Sequence, residues 1–137
     1  SEKEQGAIYH ESLKNLLSVS DVLSICCPAS KETIDLINKD TIEHLPKGAV
    51  VTNVARGDII DDEALIDALN RRKVYAVGLD VYKGEPNLNP GYLKHKSAFI
   101  LPHLGSATKE TRTAMANLAI DNLDEFFKTG KCKNKVN

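Results

Sequence analysis

Three residues of complementary chemistry each follow an apolar run of the sequence. Arg56 comes shortly after one run, Glu85 after the next, and His103 after the last. A guanidinium can hold a carboxylate or phosphate through two hydrogen bonds. A histidine with a carboxylate partner is held in one tautomer, and its cation can give a proton to a carbonyl oxygen. The set is suited to the reversible reduction of a 2-keto acid, provided that a hydride donor lies on the other face of the carbonyl.

Each of these residues also has an ordinary interpretation. Arg56 alone is typical of a surface arginine that pairs with a neighbouring acid, and His103 of a solvent-facing loop. Glu85 alone is typical of a turn carboxylate before a proline. The functional interpretation depends on all three types occurring at successive strand ends.

The elements that would position these residues alternate between strands and helices. Apolar, β-branched runs without polar alternation predict strands buried on both faces, and helical periodicity lies between them. This alternation predicts an α/β fold with a partial Rossmann-type parallel sheet and flanking helices. The carboxyl ends of such strands form one ligand-binding crevice. The positions at those ends are Pro28, Arg56, Asp80, Glu85 and His103.

The periodicity also predicts individual elements. The expected strands are 7–10, 21–27, 49–54, 74–81 and 98–101, and the expected helices are 12–18, two short ones around Thr33 and Thr41, one after Asp61, and a long one from Thr108 to about Phe127. Asp61 is expected to cap its helix at the amino end, and Gly130 to cap the long helix at the carboxyl end.

Composition limits the possible partners. The 137 residues are 42% hydrophobic and 27% charged with a net charge of -1, which is ordinary for a soluble globular domain. This charge gives no reason to expect nucleic acid or a membrane surface as partner. The three cysteines show neither a disulfide framework nor metal-ligand spacing, so we expect a reducing, cytoplasmic location and no metal.

Three linked motifs resemble one known family. They are NVARG at 53–57, GLDVYKGEP at 78–86 and PHLGSAT at 102–108. Their order and separation are similar to those of the D-isomer-specific 2-hydroxyacid dehydrogenases, over nearly the whole chain. The stretch from Asn89 to Leu123 looks most like the glyoxylate and hydroxypyruvate reductase branch.

The resemblance implies a role for several residues. Arg56 corresponds to the arginine that binds the substrate carboxylate, His103 to the general acid and base, and Glu85 to its carboxylate partner. Ser106 is implied to contact substrate together with Arg56 and His103. The residues implied to contact NAD or NADP are Cys27, Pro28, Val54, Asp80 and Gly105.

The resemblance also implies parts that this sequence lacks. It contains no Gly-x-Gly-x-x-Gly turn to hold a pyrophosphate. We therefore expect residues 1–107 to be the C-terminal part of a dinucleotide-binding domain. Residues 108–137 are expected to be a long helix and tail that return toward a substrate domain. On this interpretation the isolated chain is an inactive fragment of a homo-oligomeric oxidoreductase, which we expect to be a dimer. The alternative is a non-catalytic module of the same fold that senses nucleotides or binds other proteins.

Overall fold

A computed structural model of the chain describes residues 2–136. The described residues up to Pro102 form one compact unit, and those from His103 onward form a second. The first unit contains β1 (Val22–Ile25), β2 (Ala49–Asn53), β3 (Val74–Leu79), β4 (Ala98–Ile100), α1 (Leu13–Ser18), α2 (Lys39–Ile42) and α3 (Asp62–Asn70). The second contains α4 (Lys109–Thr129), and short 3-10 turns occur at Glu2–Gln5, Gly57–Ile59 and Tyr92–Lys94.

The four strands form one parallel sheet in the order β1-β2-β3-β4. Leu23 is opposite Val51, and Val51 is opposite Val77. Because all the strands run in the same direction, their carboxyl ends lie along a single edge of the sheet. The predicted α/β fold with a parallel sheet is therefore confirmed.

The hydrophobic core lies between the sheet and the helices of the first unit. Helix α3 packs against β3 and α2, and α1 packs against α2. The helices bury residues at helical spacing, such as Leu65 and Leu69 of α3, against alternate residues of the strands. The sheet and its three helices thus supply a rigid base for the loops at the carboxyl edge.

Strands β1 and β3 are not buried on both faces as the sequence predicted, whereas no residue of β2 is exposed. Strand β1 alternates between exposed and buried residues, and Val22 is 64% exposed. Phe99 of β4 is 65% exposed, and Tyr75 of β3 is 68% exposed at a shift in the pairing between β2 and β3. In β1, Leu23 and Ile25 face the core, whereas Val22 and Ser24 lie on an exposed face.

The predicted helix caps are confirmed. The Asp61 side chain accepts hydrogen bonds from the amides of Glu63 and Ala64, which have no partner within α3. Thr108 caps α4 in the same manner. Gly130 ends α4 with a φ of 70°, a left-handed conformation that glycine adopts without steric cost.

Two predicted elements are wrong. Residues 7–10 form no strand, and Ile8 and Tyr9 are exposed. The pattern around Thr33 forms turns rather than a helix, because the Thr33 hydroxyl accepts from the Ser30 amide at 2.7 Å and donates to the Pro28 carbonyl at 2.8 Å. Such local bonds compete with helix formation.

The second unit consists of the turn before α4, α4 itself and the tail. None of the described residues of α4 is buried. Its exposed apolar residues include Leu118, Leu123 and Phe126. Neither α4 nor any shorter helix within residues 2–136 has the length and apolar character needed to cross a membrane.

Candidate functional site

A groove at the carboxyl edge of the sheet separates the loops that follow β1 and β2. It has a volume of about 510 Å³ and is lined by Cys26, Cys27, Pro28, Ala29, Val54, Ala55 and Arg56. This volume falls within the usual range for small-molecule sites. The groove brings together four of the residues selected from the sequence, namely Cys27, Pro28, Val54 and Arg56.

Arg56 is exposed at this groove. Its backbone is extended, with φ -148° and ψ 145°. Its Nη1 donates to the carbonyl of Ala55 at 2.6 Å. In the part of the chain that the structure describes, no carboxylate forms an ion pair with Arg56. The ordinary interpretation, a surface arginine neutralised by a nearby acid, therefore does not describe this residue.

Asn53 is a candidate that the sequence interpretation missed. It is the last residue of β2, and its side chain is 0% exposed. Its Oδ1 accepts from the amide of Ala55 at 3.0 Å, and its Nδ2 donates to the carbonyl of Arg56 at 2.8 Å. A signal was present in the sequence: Ala49, Val51 and Asn53 alternate onto the buried face of β2, so an amide occupies a core position.

The loop that carries Glu85 lies beside the loop that carries Arg56. Glu85 is exposed, and its Oε1 accepts from the amide of Tyr82 at 3.0 Å. Gly57, next to Arg56, lies so close to the main chain of Tyr82 and Lys83 that a Cβ atom there would overlap it. The two loops are therefore in main-chain contact.

Two further contacts hold the Glu85 loop. Asp80, which is only 8% exposed, donates its amide to the carbonyl of Asn53 at 3.0 Å. The Lys83 ammonium lies 2.9 Å from Asp35, and this hydrogen bond raises the pKa of Lys83. The loop that begins at Asp80 is therefore attached at two points. Asp80 binds the end of β2, and Lys83 binds Asp35.

His103, Gly105 and Ser106 belong to the second unit and lie in the turn before α4. All three are exposed. His103 has a φ of 55°. This left-handed conformation is uncommon in residues other than glycine, and such residues are concentrated at functional sites. The amide of Ala107 donates to the carbonyl of Leu104 at 2.9 Å and closes the turn.

The donor groups at the groove are suited to part of a dinucleotide. Small side chains and main chain from residues 26–29 and 54–55 form walls against which a flat ring can lie. These 137 residues contain no glycine-rich turn that could hold the pyrophosphate of a dinucleotide. Within residues 2–136, no group of three or more His, Cys, Asp or Glu residues is arranged to hold a metal ion.

A parallel sheet with a groove at its carboxyl edge is typical of α/β proteins that bind ligands beyond the ends of their strands. The sequence profile of the D-isomer specific 2-hydroxyacid dehydrogenase NAD binding domain matches residues 1–105. The chain belongs to this family, as its motifs predicted.

Relatives and solved structures agree with this assignment. A glycerate dehydrogenase from Hyphomicrobium methylovorum is 44% identical over 126 residues, which are 92% of this chain and 39% of that protein. A glyoxylate reductase structure from Paecilomyes thermophila superposes with a TM-score of 0.86 and 39% identity, covering 98% of this chain and 41% of the other. An NADPH-dependent glyoxylate/hydroxypyruvate reductase from Sinorhizobium meliloti, in complex with NADP and malonate, gives a TM-score of 0.87 and 35% identity, covering 93% and 40%. The chain thus spans about 40% of the length of these proteins.

Proposed function

We propose that the protein containing this chain reduces a small 2-keto acid, glyoxylate or hydroxypyruvate, with NADH or NADPH. The observation that carries the proposal is the exposed guanidinium of Arg56 at the groove, with no carboxylate paired to it among the described residues. The names of the relatives, which include glycerate dehydrogenase and glyoxylate reductase, support the same substrate class.

In this proposal Arg56 binds the carboxylate of the substrate. Its planar donors match the two oxygens of a carboxylate, which fixes the position of the neighbouring carbonyl group. The positive charge also stabilises the negative charge that develops on the carbonyl oxygen during reduction. Ser106 would contribute a hydroxyl to the same substrate.

His103 acts as the general acid and base. Its cationic form gives a proton to the carbonyl oxygen in reduction, and its neutral form takes the proton back in oxidation. In this proposal Glu85 is the carboxylate partner that orients the imidazole ring. The left-handed backbone of His103 and the hydrogen bond that the Glu85 carboxylate accepts are consistent with fixed positions for both residues.

The groove residues Cys27, Pro28 and Val54, together with Asp80 and Gly105, would hold the nicotinamide end of the cofactor. When bound, the reduced nicotinamide supplies the hydride that the chain's own side chains cannot. The chain's part is to orient the ring and exclude water from it. Because these 137 residues hold no glycine-rich turn, we expect them to be inactive on their own.

The proposed division of the chain follows from the same function. Residues 1–107 would be the C-terminal part of the dinucleotide-binding domain. Residues 108–137 would form the helix and tail that lead to a substrate domain. The exposed apolar residues of α4 are consistent with a helix that packs against further protein.

The substitution Arg56→Lys tests the proposal, in the protein expressed from its complete reading frame. Lysine keeps the charge but loses the two-pronged geometry, so we expect kcat/KM for glyoxylate to fall by about a hundredfold. We expect KM for the reduced cofactor to change little. The matched control is Arg72→Lys, an exposed arginine at the far end of α3. Near-normal efficiency of Arg56→Lys would show that Arg56 does not bind the substrate carboxylate.

A further inference from the structure

The side-chain amide of Asn53 forms one hydrogen bond at each of its two ends, and both end on the loop that carries Arg56. Among the described residues, Asn53 and Asp80 are the polar or charged residues that the structure buries. Burying an amide costs several kcal/mol unless its groups are hydrogen bonded. The carbonyl end of Asn53 satisfies the Ala55 amide, and its NH₂ end satisfies the Arg56 carbonyl. Since one partner can only donate and the other can only accept, the orientation of the amide is fixed.

The surrounding main chain is anchored to both neighbouring strands. The amide of Val54 donates to the carbonyl of Ile25 at 3.3 Å, and the carbonyl of Asn53 accepts from the amide of Asp80. Between these anchors, residues 54–56 receive their internal hydrogen bonds from the Asn53 side chain and from Arg56 itself. The Asn53 amide therefore sets the path of the backbone from Val54 to Arg56.

The exit from this loop is also constrained. Gly57 packs directly on the main chain of Tyr82 and Lys83, so the loop cannot move toward them. With Asn53 below and the Tyr82 backbone beside it, the Arg56 Cα occupies a defined position at the groove. The long arginine side chain still has rotational freedom, but it starts from a fixed point and direction.

We infer that Asn53 is a positioning residue, whose amide holds the Arg56 loop so that the guanidinium meets a substrate carboxylate with both prongs. The inference rests on the proposed function of Arg56. It assigns to Asn53 no contact with substrate or cofactor. Both side-chain hydrogen bonds of Asn53 end on residues 55 and 56, so we expect its effect on carboxylate binding to be exerted mainly through Arg56.

A double-mutant cycle between Asn53 and Arg56 tests this inference. The variants Asn53→Ala, Arg56→Ala and the double variant are made in the protein from the complete reading frame. The measurements are kcat/KM for glyoxylate and, independently of turnover, the affinity for malonate by calorimetry in the presence of cofactor. We expect Asn53→Ala to lower kcat/KM by about ten- to a hundredfold, since a misplacement of about 1 Å has effects of that size. We expect no further loss when it is added to Arg56→Ala.

Controls separate positioning from folding. Asn70→Ala removes an amide from the exposed end of α3 and should leave kcat/KM unchanged. If Asn53→Ala does not fold, the cycle is run with Asn53→Ser, whose hydroxyl can accept from Ala55 but is too short to reach the Arg56 carbonyl. Thermal unfolding shows whether Asn53→Ala is folded, and Asn53→Ser replaces it in the cycle if it is not.

The outcomes are distinct. Losses that multiply in the double variant, or an Asn53 variant that behaves like Asn70→Ala, would overturn the inference. If the unmodified protein reduces 2-keto acids but Arg56→Ala is as active, the role of Arg56 is wrong and the inference is overturned with it. If the unmodified protein reduces no 2-keto acid, the proposed function fails. The malonate cycle then decides separately whether Asn53 acts through Arg56, and an absence of coupling there overturns the inference.

Discussion

The guanidinium of Arg56 carries a permanent positive charge at the rim of the groove between the loops after β1 and β2. Such a group is useful for recognition when its position is held and its charge is not already neutralised. The Asn53 amide holds the position of the loop that carries Arg56. Among residues 2–136, no carboxylate forms an ion pair that would neutralise the charge of Arg56. At the scale of single residues, the site is therefore a charged group on a braced loop rather than a flexible surface arginine.

The proposed pairing of Glu85 with His103 leads to a prediction at the same scale. If the carboxylate acts only by orienting the imidazole, it has no function once the imidazole is removed. We expect His103→Ala to lower kcat for glyoxylate by about 10²- to 10⁴-fold. Adding Glu85→Ala should then cause little further loss. Steady-state kinetics on the four proteins of the cycle measure this.

The control for this cycle is Glu11→Ala, which removes an exposed carboxylate outside the groove and outside the three motifs. It should leave kcat unchanged in both backgrounds. A double variant whose loss equals the product of the two single losses would count against the pairing of Glu85 with His103.

Residue types could be selected from the sequence, but their support could not. Pro28 and Arg56 are predicted to share a crevice because each follows a strand end, and the family resemblance implies that Cys27 and Val54 line the cofactor site. The groove contains all four. Asn53 and Gly57 were missed as functional residues because their importance depends on three-dimensional neighbours, namely the Arg56 carbonyl and the Tyr82 backbone. The roles of Glu85, His103 and Ser106 remain predictions.

At the scale of elements, local signals were the most reliable. The caps Asp61 and Gly130 act through bonds within a few residues, so the sequence is sufficient to predict them. Burial of the strands depends on what packs against them, and the prediction that β1 is covered on both faces is wrong for that reason. The turns near Thr33 were missed because hydroxyl-to-backbone bonds replace helical ones there.

Asp62, the first residue of α3, forms a hydrogen-bonded pair with the buried Tyr92, and the titration of this pair can be measured. The Tyr92 hydroxyl donates to Asp62 Oδ1 at 2.8 Å, and Tyr92 is 1% exposed. Burial raises the pKa of Asp62 above 3.8, although the Tyr92 hydrogen bond opposes this. Burial and the neighbouring Asp62 carboxylate also raise the pKa of Tyr92. The folded protein therefore holds the Asp62 proton more tightly than the unfolded chain does.

This shift predicts the direction of a stability change with pH. A raised pKa in the folded state contributes stability that is fully present below pH 3.8 and is lost as the pH rises through the folded value. Asp62→Asn keeps an oxygen acceptor for Tyr92 but cannot titrate. We expect the free energy of unfolding of the unmodified protein, relative to Asp62→Asn, to increase when the pH is lowered from about 7 to about 4.

Urea unfolding at several pH values measures this difference. Asp40→Asn, which removes an exposed carboxylate from the first turn of α2, controls for the loss of a negative charge at a helix start. A difference between the unmodified protein and Asp62→Asn that stays constant, or that decreases on acidification, would show that the buried pair does not titrate in this manner.

At the scale of the whole molecule, several apolar surfaces are open. Strand β1 is an edge of the described sheet, and one of its faces is exposed. The described residues of α4 are all at least partly exposed, Phe127 to 82%. Unpaired strand edges and apolar patches favour association with other protein. These surfaces support the predicted homo-oligomer and the predicted packing of α4 against further protein, and both remain predictions.

The central claim is that the protein reduces 2-keto acids because it recognises their carboxylate. The most direct measurement compares hydroxypyruvate with dihydroxyacetone, in which a CH₂OH group replaces the carboxylate, by following oxidation of NADH and of NADPH. The protein from the complete reading frame should reduce hydroxypyruvate with a kcat/KM about a hundredfold or more above that for dihydroxyacetone, because the site would otherwise leave Arg56 unpaired. Equal efficiency with the two compounds, or no oxidation of either cofactor with any 2-keto acid, would contradict the claim.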